Sequence, residues 1–206
     1  VDYLPCQFGE AVELSPAFCL GLWKGVFDVN AIDKESGVDY VQEDAHLIHD
    51  SVLVPAGTLV PVCAMNMIFR RELIPAIYQV PMPVPLIDGW KIDRFGDIWG
   101  GFILKTLMDA RGDRMSVGGP MVRHEKRRDF GHNLVQEHVG HLLNDEFVEL
   151  VTDFSADGTA PYLDLLRMLT DHLRAGLAGA SPMLRKYLDI LLPALDSWPA
   201  VLEMRP

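Results

Sequence analysis

The fold of this chain turns on Asp97-Ile98-Trp99-Gly100-Gly101-Phe102-Ile103-Leu104-Lys105-Thr106-Leu107-Met108-Asp109-Ala110-Arg111. Ile98, Phe102, Leu104, Leu107 and Met108 recur at mainly helical spacing, and Gly112 follows as a C-terminal stop. Asp97 opens this helix, where free N–H groups and the macrodipole favour an acid by about 0.3–1 kcal/mol. Downstream, Met115 to Val122 returns to a strand-like run, and three helices are expected after it. The first covers residues 133–154. The second starts near Pro161, with Thr159 as N-cap and an apolar stripe of Leu165, Leu166, Leu169 and Leu173. The third runs from Pro182, with Pro193 expected to bend or break it.

Upstream of the central helix the character differs. Residues 1–92 are rich in Pro, Gly and short β-branched runs. Ala17 to Lys24 reads as a strand or a helical turn, Ser51 to Val54 as a short strand, and Val62 to Phe69 as a buried strand. Arg70 to Gln79 reads as a short helix. Pro81-Met82-Pro83-Val84-Pro85 must be extended, since proline removes donors and restricts its neighbours. The expected class is α/β to α+β, with a β-containing portion over residues 1–129 and a helical portion over 130–206.

Bulk properties narrow the function. Of 206 residues 49% are hydrophobic, enough for a real core. Lys and Arg number 18 against 29 Asp and Glu, a net charge of -11. An acidic chain repels nucleic acid and anionic membrane surfaces. A small phosphorylated ligand stays open, because a local basic cluster or a metal reverses the field within a cleft. Cys6, Cys19 and Cys63 form no CxxC pair, which fits a reduced, cytoplasmic protein rather than a disulfide scaffold. No apolar run approaches the ~20 residues of a membrane span. Val1 is neither an initiator Met nor part of a signal core, so the expectation is a processed chain or one that begins in mid-protein.

Four segments, in order, resemble one family. Gly21-Leu22-Trp23 followed by Asp28 is similar to a "GLW…D" segment. Pro55 to Phe69, PAGTLVPVCAMNMIF, resembles a "GTL-P-C-MN-F" stretch and is the most specific piece. Arg94-Phe95-Gly96-Asp97-Ile98-Trp99-Gly100-Gly101 resembles an "R-aromatic-acid-D-x-W-x-G" helix start, and His124 before Asn133-Leu134 resembles an "H-S/K…NL" segment. Together they look like the C-terminal half of a reversibly glycosylated polypeptide, the UDP-arabinopyranose mutase family. The resemblance implies part of a glycosyltransferase A-type fold, a UDP-sugar as ligand and Mn²⁺ or Mg²⁺ as cofactor. It implies Asp97 and Arg94 as catalytic residues, His124 as a metal ligand, and Asn66, Trp99, Arg127 and Arg128 as substrate-binding residues.

Each assignment has a plainer counterpart. Asp97 is also a favourable first-turn acid, and His124 a surface histidine in a charged turn. The basic cluster Arg123, Lys126, Arg127 and Arg128 either holds a diphosphate or is a solvated loop. Asn66, in an apolar run, must be hydrogen-bonded, either structurally or to a ligand. Trp23 and Trp99 either line a cleft or pack in the core. His138 and His141, at i and i+3, mark a polar helix face more readily than the metal site of a hydrolase.

The chain also departs from the family pattern. No DxD run occurs. Leu4 falls where the family carries its sugar-bearing arginine, and Gly96 stands where an acid is usual. Two readings therefore stay open: a glycosyltransferase or sugar-nucleotide mutase, and a non-catalytic partner subunit or degenerate relative, with homo- or hetero-oligomers expected.

Overall fold

A computed structural model gives the fold, with residues 15–26, 41–42, 51–125 and 130–204 described. Leu4, Cys6, Asp28, Lys126, Arg127 and Arg128 lie outside the described residues. In chain order the strands are β1 (Phe18–Val26), β2 (Val41–Gln42), β3 (Ser51–Val54), β4 (Met67–Phe69), β5 (Val84–Pro85), β6 (Lys91–Ile92) and β7 (Met115–His124). The helices are α1 (Gly96–Arg111), α2 (Phe130–Thr152), α3 (Tyr162–Gly176) and α4 (Pro182–Glu203), with a short 3-10 segment at Arg71–Ala76.

The main sheet runs β2-β1-β7-β3, with β4 also on β1. β1 and β7 are parallel, whereas β2 and β4 on β1 and β3 on β7 are antiparallel. The ladder between β1 and β7 shifts register between Gly21 and Trp23. A parallel pair needs a crossover, and α1 lies in that connection. β5 and β6 form a separate hairpin whose turn has positive φ at Asp88 (53°) and Gly89 (77°), the Asp-Gly signature of a tight hairpin. The fold is thus a mixed α/β sheet followed by C-terminal helices.

The central helix forms where its periodicity places it. It starts at Gly96 and ends at Gly112, whose φ of 78° is the left-handed cap that glycine adopts without a Cβ penalty. Every residue from Trp99 to Met108 is buried, because the helix is packed against α2, α3 and the 3-10 segment. The stripe of Leu165, Leu166, Leu169 and Leu173 on α3 is fully buried. The α4 leucines Leu184, Leu188, Leu191 and Leu195 are buried in the same core, so they pack within the chain and offer no assembly face.

Four local expectations are corrected. Residues 62–66 are not strand, and only Met67–Phe69 pairs with β1. The reason is α1: the Val62 N–H donates to the Asp97 carbonyl, and the backbone of residues 60–62 lies against Gly101. Arg70–Gln79 shortens to a 3-10 segment, with Pro75 inside it. The N-cap position of α3 is Pro161 rather than Thr159, whose N–H instead reaches Asp157. Finally, the expected break at Pro193 does not occur, since α4 continues through both Pro193 and Pro199. Its buried leucine face holds the helix together where propensity alone would end it.

Gly101 shows how tightly the first layer is built. A Cβ there would stand 2.5 Å from the Val62 nitrogen and 2.6 Å from the Val60 oxygen. Those are backbone atoms and cannot rotate away. Gly101→Ala is expected to destabilise the protein by about 1–3 kcal/mol, as overpacking does, measured by urea unfolding.

Candidate functional site

The side chains that sequence analysis singled out at the start of α1 meet a cavity of about 500 Å³. It opens between β1, β7, the 60–63 segment, the N-terminal turn of α1 and the inner face of α2. Arg94, Asp97, Glu137, His141 and Asn144 supply its polar lining, and Leu20, Leu22, Val60, Phe102 and Val117 much of its apolar lining. Trp23 and Cys63 also line it. A concave, mainly apolar site with a few convergent polar groups is the usual form of a small-molecule site.

Arg94 has a left-handed backbone, φ 59°, which is uncommon outside glycine and clusters at functional sites. The turn is locked locally: the Arg94 N–H donates to Asp93 Oδ1 at 2.9 Å, and Asp93 pairs with Lys91 at 2.9 Å. Arg94 Nε then donates to Glu137 Oε1 on α2 at 3.3 Å. Glu137 is 4% exposed, so its carboxylate sits in the wall and has a cation beside it. His141 Nε2 stands 3.9 Å from Glu137 Oε2.

Asp97 lies in the first turn of α1, with Oδ1 accepting from the Ile98 N–H at 2.9 Å. Both expected roles therefore coincide in one residue: it satisfies a free helix N–H and lines the cavity. The next face of the same turn points inward. Trp99 is fully buried, stacked on Phe147 with ring centroids 4.0 Å apart and edge-on to Phe95 and Tyr187. It reaches the cavity only through its indole N–H, which donates to Asn144 Oδ1 at 3.2 Å.

Asn66 also stands behind the wall. It is 7% exposed, its side-chain Nδ2 donates to the Leu22 carbonyl at 2.8 Å, and its backbone carbonyl accepts from the Gly21 N–H. Its partners are backbone, as the structural reading of a buried amide requires. Trp23 is both a core residue and a lining residue, at 7% exposure. Its indole nitrogen is buried without a hydrogen-bond partner, and so is His141 Nε2 on the opposite wall. Such orphans are rare, and two of them border one cavity.

His124 ends β7, paired with Gly25, two residues beyond Trp23 on β1. It is not among the lining residues. Among the described residues no three side chains of metal-ligand type converge. His138 and His141 do not converge either: His138 is exposed and lies tilted against Trp90, while His141 lies edge-on to Phe95.

Sequence analysis passed over Glu137 and Asn144. Both lie on α2 with His141, at i, i+4 and i+7, one face of a helix. That face comes close because of Gly140. A Cβ there would fall 2.2 Å from the Phe95 ring, so glycine lets α2 press against the residue next to Arg94.

The sequence profile of the reversibly glycosylated polypeptides matches residues 4–202. The chain belongs to that family. UDP-arabinopyranose mutase 1 of Arabidopsis thaliana is 29% identical over 206 residues, covering 94% of this chain and 53% of the relative. Probable UDP-arabinopyranose mutase 2 of Solanum tuberosum is 29% identical over 188 residues, covering 86% and 48%. UDP-arabinopyranose mutase 3 of Arabidopsis thaliana reaches 33% over 129 residues, covering 62% and 34%. The chain spans about half the length of the curated relatives it matches. Of the family-like "R-aromatic" helix start, Arg94, Phe95, Asp97 and Ile98 line the cavity. No helix among the described residues is long and apolar enough to cross a membrane.

Proposed function

We propose that this chain carries the sugar-handling side of a UDP-sugar enzyme of the mutase type, on part of a glycosyltransferase A-type fold. The observation that carries the reading is the cavity itself, with Arg94 and Asp97 side by side on its wall in a family whose relatives bear the mutase name. Its apolar side suits the C–H face of a sugar or base, and its polar rim suits hydroxyls. Asp97 is the group placed to accept a hydroxyl hydrogen bond or proton, and Arg94 the group placed to donate.

One observation favours the second reading, a relative that binds without turnover. A Cβ at Gly96 would stand 3.1 Å from the Val80 carbonyl oxygen, so the acid usual in the family has no easy room here. Titration of the purified chain with UDP and with UDP-arabinopyranose, each with and without Mn²⁺, tests both. Binding weakened at least about tenfold by Asp97→Ala supports the site. Binding by the wild-type chain without interconversion of the sugar selects the second reading. No binding of either ligand under any of these conditions removes both.

A further inference from the structure

We infer that Glu137 is a positioning residue: from the buried face of α2 it holds Arg94 by Nε, and the Nη edge of the guanidinium grips a pair of neighbouring oxygens on the ligand. The inference rests on the nucleotide-sugar reading. It gives the arginine of that site its support and its target chemistry.

Arg94 is fixed at both ends. Its backbone N–H, in a turn with φ 59°, donates to Asp93 Oδ1 at 2.9 Å, and Lys91 holds Asp93 in turn at 2.9 Å. Its side chain donates through Nε to Glu137 Oε1 at 3.3 Å. His141 Nε2 stands beside the other carboxylate oxygen, at 3.9 Å.

The support is itself well seated. Gly140, three residues along α2 from Glu137, lets that helix close on the Phe95 ring. Phe95 follows Arg94 in the chain and lies edge-on to both Trp99 and His141. Exposure then separates the two roles. The Glu137 side chain is 5% exposed and that of Arg94 32%. The carboxylate is the anchor, and the guanidinium is the part a ligand can reach.

The chemistry of arginine names the target. A guanidinium is a planar fork of N–H donors that cannot accept. Nε is engaged by Glu137, and the Nη groups make no hydrogen bond among the described residues. Two parallel N–H groups match two adjacent acceptor oxygens. Vicinal sugar hydroxyls present such a pair, and so do the oxygens of a diphosphate. An arginine ordered before the ligand arrives loses less freedom on binding, so its support strengthens binding without touching the ligand. The loss of Glu137 should therefore be felt through Arg94.

The test is a double-mutant cycle. Wild-type chain, Arg94→Ala, Glu137→Ala and the double variant are titrated calorimetrically with UDP and with UDP-arabinopyranose. Each single variant should bind the sugar nucleotide about tenfold more weakly. The double variant should match Arg94→Ala within about twofold, because Glu137 then has nothing to position. Arg94→Lys, which keeps the charge without the fork, should lose as much as Arg94→Ala. Losses shared by UDP place the oxygen pair on the diphosphate, and losses confined to the sugar nucleotide place it on the sugar. Either result supports the inference. Far-ultraviolet circular dichroism checks folding, and Arg94→Met with Glu137→Leu repeats the cycle where an alanine variant fails. Fully additive losses, or wild-type binding by Glu137→Ala or Arg94→Lys, would overturn the inference. Binding that Asp97→Ala weakens and Arg94→Ala leaves intact overturns it while sparing the proposed function. Wild-type binding of neither ligand removes the proposed function, and the inference with it.

Discussion

Trp99→Ala is expected to cost about 3–5 kcal/mol of stability, the range for deleting a fully buried aromatic side chain. Trp99 has no exposed surface, and its removal would unstack Phe147, free the edges of Phe95 and Tyr187, and leave a cavity where α1, α2 and α4 meet. Close packing prevents the neighbours from filling that space fully. The informative companion is Trp99→Phe. It retains a ring against Phe147 and loses only the N–H that holds Asn144, so its stability loss should be about 1 kcal/mol. Urea unfolding of both variants should separate these costs clearly. If Trp99→Phe also weakens binding of UDP-arabinopyranose, the core residue acts on the site through the Asn144 amide. If binding is unchanged, the indole–amide bond is packing alone.

The same residue shows what the sequence could and could not reveal. Trp99 was visible as part of a family-like helix start, and its two plain alternatives were a cleft residue and a core residue. The choice depended on its partner, 45 residues away on another helix, and no local pattern encodes that pairing. Arg94 and Asp97 were legible because they sit in one short motif. Glu137, His141 and Asn144 were legible in principle as an i, i+4, i+7 row. The more familiar His138–His141 spacing drew attention instead, and those two rings turn to different aromatic neighbours.

The fold was read unevenly for related reasons. The central helix carried its own periodicity and its own glycine stop, and the α3 stripe was equally self-contained. The parallel pairing of β1 with β7 joins segments nearly the whole sheet apart in sequence, and it follows from crossover topology rather than from strand propensity. The 62–66 segment has a strand-like composition, yet it gives its backbone to α1. A tertiary contact against glycine outweighed local preference there. In α4, burial of one face outweighed two prolines.

Asp109→Ala should be about as damaging as the loss of Trp99, for an electrostatic reason. Lys105 is 1% exposed, with its ammonium 2.6 Å from both Asp109 oxygens and 3.0 Å from the Pro55 carbonyl. Without the carboxylate, a buried cation keeps one carbonyl among these partners. Breaking a buried pair from that side costs about 3–5 kcal/mol. The opposite deletion should cost less. In Lys105→Met the chain length is kept, and Asp109, at 22% exposure, can turn to water. Chemical denaturation of the two variants and of the double variant Lys105→Met, Asp109→Ala measures the asymmetry and the coupling. The double variant should recover much of the loss, since no unpaired buried charge remains. A smaller loss for Asp109→Ala than for Lys105→Met would show that the ammonium finds water more easily than its burial implies. The consequence reaches the cavity. Asp109 Oδ2 also accepts from the Gly57 N–H at 2.9 Å, and Pro55 is the other tether of the same turn. That turn leads directly into Val60 and Pro61, which line the site. Asp109→Ala should therefore speed amide exchange across residues 57–62 before the rest of the sheet opens, because the ion pair holds one wall of the candidate site against α1.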